Sequence, residues 1–284
     1  MEVLRSREEV KGILTSFNVA YVADALKNSM FGKNIIFEER LGSTNVFLKK
    51  IAQEEGAAEG TVVIADEQTD GLGRMGRRWF SKKGENLLFS VLLRPTLAPD
   101  NVFILTMIFA LAGTDALKEV SGLDAGIKWP NDIYLGQKKL GGVLTEFSVL
   151  GESVQYLVLG MGLNVNWKPK EGETTGYMTS SVFSESGKRV SREELLVFLL
   201  GRLAVYYQGC MEDGKEKELL YKRWNKKSVV LGRPVVIETG KERIIGNAAE
   251  IDQDGALWVV TSEGEEKRIL CGDVSVKVNN SDER

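Results

Sequence analysis

Residues 61–94 read TVVIADEQTDGLGRMGRRWFSKKGENLLFSVLLR, and what lies between the two apolar ends decides the fold. Thr61–Ala65 (TVVIA) and Asn86–Arg94 (NLLFSVLLR) are apolar runs of strand length. Between them, Gly71-Leu-Gly-Arg-Met-Gly76 matches G-x-G-x-x-G after a strand, which first raises a dinucleotide-binding turn. Such a turn must open a helix whose N-terminus faces pyrophosphate. Here Gly76 is followed by RRWFSKKGEN, which has no apolar helical period, and then by another strand. The glycines therefore belong to a loop. Arg74, Arg77, Arg78, Lys82 and Lys83 fall in a stretch without acids, a cationic segment suited to wrapping an anion such as a phosphate chain. A solvated basic loop is the commoner explanation, and Trp79-Phe80 weigh against it, because large aromatics gain nothing from water.

Downstream, Asp100–Val120 has helical spacing with Asp100 as the expected N-cap, and its nearly all-round apolarity marks a core helix. Ile127–Leu135, Lys139–Val149 and Val154–Val165 are strand-like, joined by turns at Gly136-Gln137 and Gly151-Glu152 as in an antiparallel meander. Ser191-Arg-Glu-Glu194 before LLVFLLGRL reads as a reciprocal capping box on an amphipathic helix. After Trp224, short strands with glycine turns follow one another, as in a small barrel. Upstream, NIIFEERLGSTN from Asn34 predicts a strand, a turn and a helix carrying Phe47, Leu48, Ile51 and Ala52 on one side. Val3, Leu4, Val10, Ile13 and Leu14 fit one helical face loosely, in a lead too short for a winged helix-turn-helix.

The 284 residues include 43% hydrophobic and 27% charged side chains, which excludes fibrous and disordered classes. The absence of histidine removes every imidazole-activated nucleophile, imidazole acid-base pair and histidine metal ligand. Cys210 and Cys271 form no CxxC pattern, so neither a zinc cage nor a disulfide framework is expected, and a reducing cytoplasm fits. A net charge of −3 makes nucleic acid an unlikely partner. The start lacks a signal pattern and the longest oily stretch, Val102–Ala112, is too short to span a bilayer, so no membrane is expected.

Several short motifs carry candidate chemistry. Lys128-Trp-Pro-Asn-Asp132 sets a cation, an aromatic and two hydrogen-bonding groups in an apolar hairpin, where polar groups are costly unless paired or used; a turn with local Asn and Asp bonds is the plainer reading. Lys139 enters a strand before Leu140-Gly-Gly142, and the small residues let a ligand approach the backbone. Ser43-Thr-Asn45 alone reads as a helix cap, and Gly160-Met-Gly-Leu-Asn164 as a bulge or a pocket wall.

Taken in order, STN, Q-x-x-G-x-G-R-x-G-R-x-W, KWPND, K-L-G-G-V-L and G-x-G-x-N resemble the biotin protein ligase family, from about Asn34 to Val276. Gly272-Asp-Val-Ser275 resembles the end of that family's C-terminal barrel. The resemblance implies an α+β fold: a central mixed, mostly antiparallel sheet with packed helices, like class II aminoacyl-tRNA synthetases, plus a small C-terminal SH3-like β-barrel. The expected boundaries are 1–33 for a lead without a complete winged helix-turn-helix, 34–228 for a biotin- and ATP-binding catalytic domain, and 229–284 for the barrel and tail.

The implied activity joins biotin to ATP, releases pyrophosphate, and passes the biotinyl group to a lysine of a biotin carboxyl carrier domain, with Mg²⁺ sharing charge neutralisation. The resemblance gives Arg74, Lys139 and Lys128 as catalytic. It gives Ser43, Thr44, Asn45, Gln68, Leu72, Gly73, Arg74, Lys139 and Gly142 as biotin-binding, and Arg77, Trp79, Asn131, Asp132, Asn164 and Tyr177 as nucleotide-binding, with no certain metal ligand. Leu72 stands where the family loop usually has arginine. Homodimerisation along a sheet edge is a further expectation. Alternatives are a lipoate protein ligase, a biotin-responsive repressor, or a module that only stores biotin.

Overall fold

The computed structural model describes residues 17–169, 178–212, 214–240, 242–270 and 272–276. The five apolar positions of the lead named above, together with Tyr177 and Cys271, lie outside them. In chain order the elements are α1 (Val19–Ala25), β1 (Ile35–Leu41), α2 (Thr44–Glu54), β2 (Val62–Gln68), β3 (Asn86–Leu93), α3 (Phe103–Ser121), β4 (Gly126–Lys128), β5 (Asp132–Leu135), β6 (Lys138–Leu150) and β7 (Ser153–Asn164). Then come α4 (Val182–Ser186), α5 (Arg192–Glu212), α6 (Gly214–Lys227) and β8 (Pro234–Glu238), β9 (Arg243–Ile251), β10 (Leu257–Thr261), β11 (Glu266–Ile269) and β12 (Asp273–Val276).

The first seven strands form one mixed sheet in the order β1-β2-β3-β7-β6-β5-β4, parallel only between β1 and β2. The last five form an antiparallel sheet in the order β11-β10-β9-β8-β12. Alternation of side chains along a strand explains the layers. On β3 and β7, Leu87, Phe89, Val91, Leu157, Leu159, Met161 and Leu163 face the main core with α3 and α5. Leu92, Tyr156 and Val158 face the other way, onto Leu48, Ile51 and Ala52 of α2. On that second face, β7 continues from Tyr156 and Val158 to Gly160 and Gly162, so the apolar cover stops and a hollow begins.

Three sequence expectations need correction. Asp100 is not the N-cap of α3: a 3₁₀ turn spans Pro99–Asn101, and Val102 occupies the cap position without a side-chain hydrogen bond. Proline at the first position of that turn favours the extra turn before α3 starts. The oily segment also runs further than Val102–Ala112. Pro99–Ser121 is long and apolar enough to cross a bilayer, yet 78% of its most apolar window is buried inside the protein, where it serves as the central core helix. At α5, Ser191 Oγ accepts from Glu194 N at 3.1 Å as expected, but the carboxylate joining it is that of Glu193, which accepts from Ser191 Oγ at 2.9 Å and from Asn18 N at 3.0 Å.

The two sheets are tied at defined points. Val229 N donates to Ile127 O at 2.9 Å, and the fully buried Trp129 donates from Nε1 to Gly255 O at 2.8 Å. Phe103 packs against Gly255 and edge-on to Trp224.

Candidate active site

The strand registers set the floor of the hollow. Ser90 pairs with Gly160 and Gly160 with Leu144, while Leu88 pairs with Gly162 and Gly162 with Gly142, so these residues share one face. Glycine at 160 and 162 is a packing requirement. A Cβ on Gly160 would stand 2.0 Å from Asn45 Oδ1, and one on Gly162 2.5 Å from the Trp79 ring.

The inner end is built by the start of α2. Ser43 occupies its N-cap position, but its hydroxyl makes no cap hydrogen bond. Gln68, at the end of β2, takes over: its Oε1 accepts from Thr44 N at 2.7 Å and from Thr44 Oγ1 at 3.1 Å. That leaves Ser43, which is 7% exposed, with its hydroxyl on the cavity wall. Asn45 is engaged at both ends. Its Nδ2 donates to Leu144 O at 3.2 Å and Glu146 Oε2 at 2.8 Å, and its Oδ1 lies 2.6 Å from Ser90 Oγ.

The cationic loop folds back as a small hairpin. Leu72 bridges Arg78, Gly73 N donates to Arg77 O at 2.7 Å, and Trp79 N donates to Gly71 O at 2.8 Å. Arg74 reaches Asn131 Oδ1 at 3.2 Å, Arg78 donates to Thr69 O at 2.8 Å, and Arg77 forms an ion pair with Asp273 of β12. Lys82 and Lys83 turn elsewhere, onto Trp167 and Glu39. The loop is thus split: three arginines face the cavity and two lysines the periphery.

Lys139 is 8% exposed, with Nζ 2.8 Å from Asp132 Oδ2 and 5.6 Å from the centre of the Trp79 ring. Asn131 donates to Val143 O while accepting from Arg74, so it braces the arginine against β6. Lys128 sits 5.0 Å over the Tyr134 ring. Burial holds its pKa below the ordinary 10.5 despite the opposing pull of Asp132, and the nearby charges of Lys139 and Arg77 add to the lowering. An arriving anion would reverse that shift.

The inner recess is lined by Ser43, Thr44, Asn45, Gln68, Leu72, Gly73, Arg74, Arg77, Trp79, Asn131, Asp132, Lys139 and Gly142. It shares Arg74, Arg77, Asn131, Asp132 and Asp273 with an outer basin of about 560 Å³ that adds Lys128 and Tyr134. Asn164 is not brought to either. It is 3% exposed, accepts from Asn86 Nδ2 and donates to Ser180 O, both at 3.0 Å, and so locks the ends of two strands to the segment after β7. Sequence reasoning placed Arg78 in the anion-wrapping segment and Met161 in a candidate pocket wall, but assigned no ligand contact to Val143, Leu144 or Asp273 on these walls. Leu144 follows from alternation once the register is known, since it pairs with Gly160 on the cavity face, whereas Val143 and Met161 belong to the core-facing row and Asp273 has no local signal. Among the described residues, no three His, Cys, Asp or Glu side chains cluster to hold a metal ion.

Known proteins resemble the chain in sequence and fold. The Biotin/lipoate A/B protein ligase family matches residues 37–164, and the Biotin protein ligase C terminal domain matches residues 230–277. The chain is 31% identical over 252 residues to the bifunctional ligase/repressor BirA of Bacillus subtilis, covering 88% of this chain and 76% of that protein. It is 34% identical over 222 residues to the biotin–[acetyl-CoA-carboxylase] ligase of Paracoccus denitrificans, covering 77% and 90%. The structure of the biotin protein ligase of Aquifex aeolicus in complex with biotin and ATP superposes with a TM-score of 0.74 at 32% identity, covering 87% of this chain and all of that one. With a shared fold, both matched regions and this identity over most of two full-length relatives, the chain belongs to the biotin protein ligase family.

Proposed function

We propose that this protein is an ATP-dependent biotin protein ligase that makes biotinyl-5'-AMP with release of pyrophosphate and then transfers biotin to a lysine of a biotin carboxyl carrier domain in the cytoplasm. The observation that carries this reading is a single cavity with neutral hydrogen-bonding groups at its inner end and a ring of cations at its mouth. Ser43, Thr44 and Gln68 suit the ureido ring, whose N–H and C=O groups need neutral partners. Arg74 and Lys139 stand where the biotin carboxylate would meet the α-phosphate, and Arg77 and Lys128 line the basin suited to the triphosphate. Residues 34–228 form the catalytic unit in this reading, and Glu238 and residues 272–275 of the C-terminal region line the basin.

In the first step, a carboxylate oxygen attacks the α-phosphorus in line, the bond to the β-phosphate breaks, and pyrophosphate leaves with the electron pair. The protein's share is charge neutralisation and positioning, which needs no imidazole base. In the second step, the carrier's lysine amine attacks the acyl carbon, an amide forms and AMP departs. Mg²⁺ fits as an ion carried by the triphosphate, with Asp132 the nearby carboxylate, and would supply further charge neutralisation. Closure of the Gly71–Trp79 hairpin excludes water from the mixed anhydride.

ATP–pyrophosphate exchange that depends on biotin and not on lipoate, followed by transfer of labelled biotin to a carrier domain, is the expected result. Exchange driven by lipoate, or retention of biotin without pyrophosphate release, would overturn the assignment.

A further inference from the structure

A line of polar contacts runs from the solvent side of the sheet to the inner end of the cavity. Lys49 Nζ lies 2.5 Å from Glu146 Oε1, and the other oxygen of Glu146 accepts from Asn45 Nδ2 at 2.8 Å. Asn45 Oδ1 is 2.6 Å from Ser90 Oγ, Ser90 Oγ is 2.7 Å from Thr44 Oγ1, and Thr44 holds Gln68 Oε1. All these side chains lie on one sheet face because Glu146, Val158 and Leu92 share a register row next to that of Leu144, Gly160 and Ser90.

The chemistry of each link has a direction. A carboxylate only accepts, so Glu146 obliges Asn45 to turn its NH₂ toward β6 and its carbonyl toward Ser90. Gly160 provides the space for that carbonyl. The carbonyl in turn takes the single Ser90 proton, which leaves Ser90 Oγ facing the Thr44 hydroxyl as an acceptor, while Gln68 is oriented separately by the Thr44 backbone N–H. The Leu144 carbonyl, which accepts from the same Nδ2 at 3.2 Å, acts in the same sense, and the carboxylate adds the shorter, charge-assisted bond. Lys49 neutralises the carboxylate and fixes its orientation.

We infer that Glu146, held by Lys49, is a positioning residue for biotin: with the Leu144 carbonyl it sets the amide orientation of Asn45 and thereby, through Ser90, the direction in which the Thr44 hydroxyl is polarised at the ureido end of the cavity. This rests on the inner end of the cavity being the biotin site. Glu146 itself lies outside the cavity lining and touches no substrate.

The test is Glu146→Gln, isosteric but able to present either a donor or an acceptor to Asn45. KM values for biotin and for ATP are measured separately by pyrophosphate exchange, alongside the Tm of the ligand-free protein. The expected result is a rise in the biotin KM on the order of tenfold, what one misdirected neutral hydrogen bond costs, with the ATP KM and Tm unchanged. Glu146→Asp, which keeps an acceptor-only group, should recover part of the biotin KM. An unchanged biotin KM, or equal shifts in both KM values and Tm, would refute the positioning role while leaving the ligase assignment intact. Wild-type protein without biotin-dependent exchange would overturn both.

Discussion

Replacing Lys139 with methionine removes a cation while keeping most of the side chain's length and volume. Its Nζ lies 2.8 Å from Asp132 Oδ2, and the two side chains are 10% and 23% exposed. Deleting one partner of a buried pair strands the other, typically at 3–5 kcal/mol, and the residual solvent access of Asp132 reduces this to about 2 kcal/mol. In a chain of this size that lowers Tm by roughly 4 °C. The double variant Lys139→Met/Asp132→Asn removes the stranded carboxylate and should restore most of the lost Tm. Catalysis should behave differently, because a cation placed where charge develops in the transition state contributes about 10²–10³-fold in rate, and neither variant returns it. Thermal unfolding and biotin-dependent pyrophosphate exchange on the wild type and the two variants separate the two roles. If the double variant regains exchange together with Tm, Lys139 serves only to neutralise Asp132 and the assignment at the acyl phosphate is wrong.

The lowered pKa of Lys128 means that, between that value and 10.5, the folded protein binds fewer protons than the unfolded one. Stability therefore rises with pH across this window, and the cost of burying the charge is fully present below it. An arriving triphosphate should draw the proton back, so calorimetry of ATP binding in that window, in buffers of different ionisation enthalpy, should show proton uptake that Lys128→Met abolishes; buffer-independent heats in the wild type would count against it. Gly162→Ala places a Cβ 2.5 Å from the Trp79 ring and should cost about 1–3 kcal/mol as the indole is displaced. A Tm and tryptophan emission identical to wild type would contradict that packing. Asp273→Ala releases Arg77 and should speed tryptic cleavage within residues 74–78 in the absence of ligand, with protection returning when biotin and ATP are added. Unaltered cleavage would show that the ion pair does not hold the loop.

Most of the scaffold was legible because β3 is a continuous apolar run of strand length and the strand-like runs from Ile127 to Val165 are separated by glycine turns at 136–137 and 151–152. The rejection of a dinucleotide turn at Gly71–Gly76 needed only the strand that follows it. What the sequence concealed came from tertiary placement. Asn45 and Asn131 stand in suggestive motifs, yet their amides are consumed by bonds to Glu146, Ser90, Val143 and Arg74, which local sequence cannot show. Asn164 ends the glycine-bearing strand that floors the cavity, but the Asn86 and Ser180 bonds draw it out of the ligand space. Asp273 reaches Arg77 only because the second sheet docks on the first.

That docking has a consequence for biosynthesis. Trp129 stands one proline away from Asn131 and Asp132, so the residues bracing Arg74 and Lys139 share a short segment with the residue that anchors to Gly255. The acceptor for Trp129 and the anion facing Arg77 both emerge from the ribosome after the whole first sheet has been made. A nascent chain halted at α6 carries every cation of the basin but neither of these two partners. Completion of the last strands therefore supplies the final two contacts that hold the walls of the proposed biotin and ATP cavity.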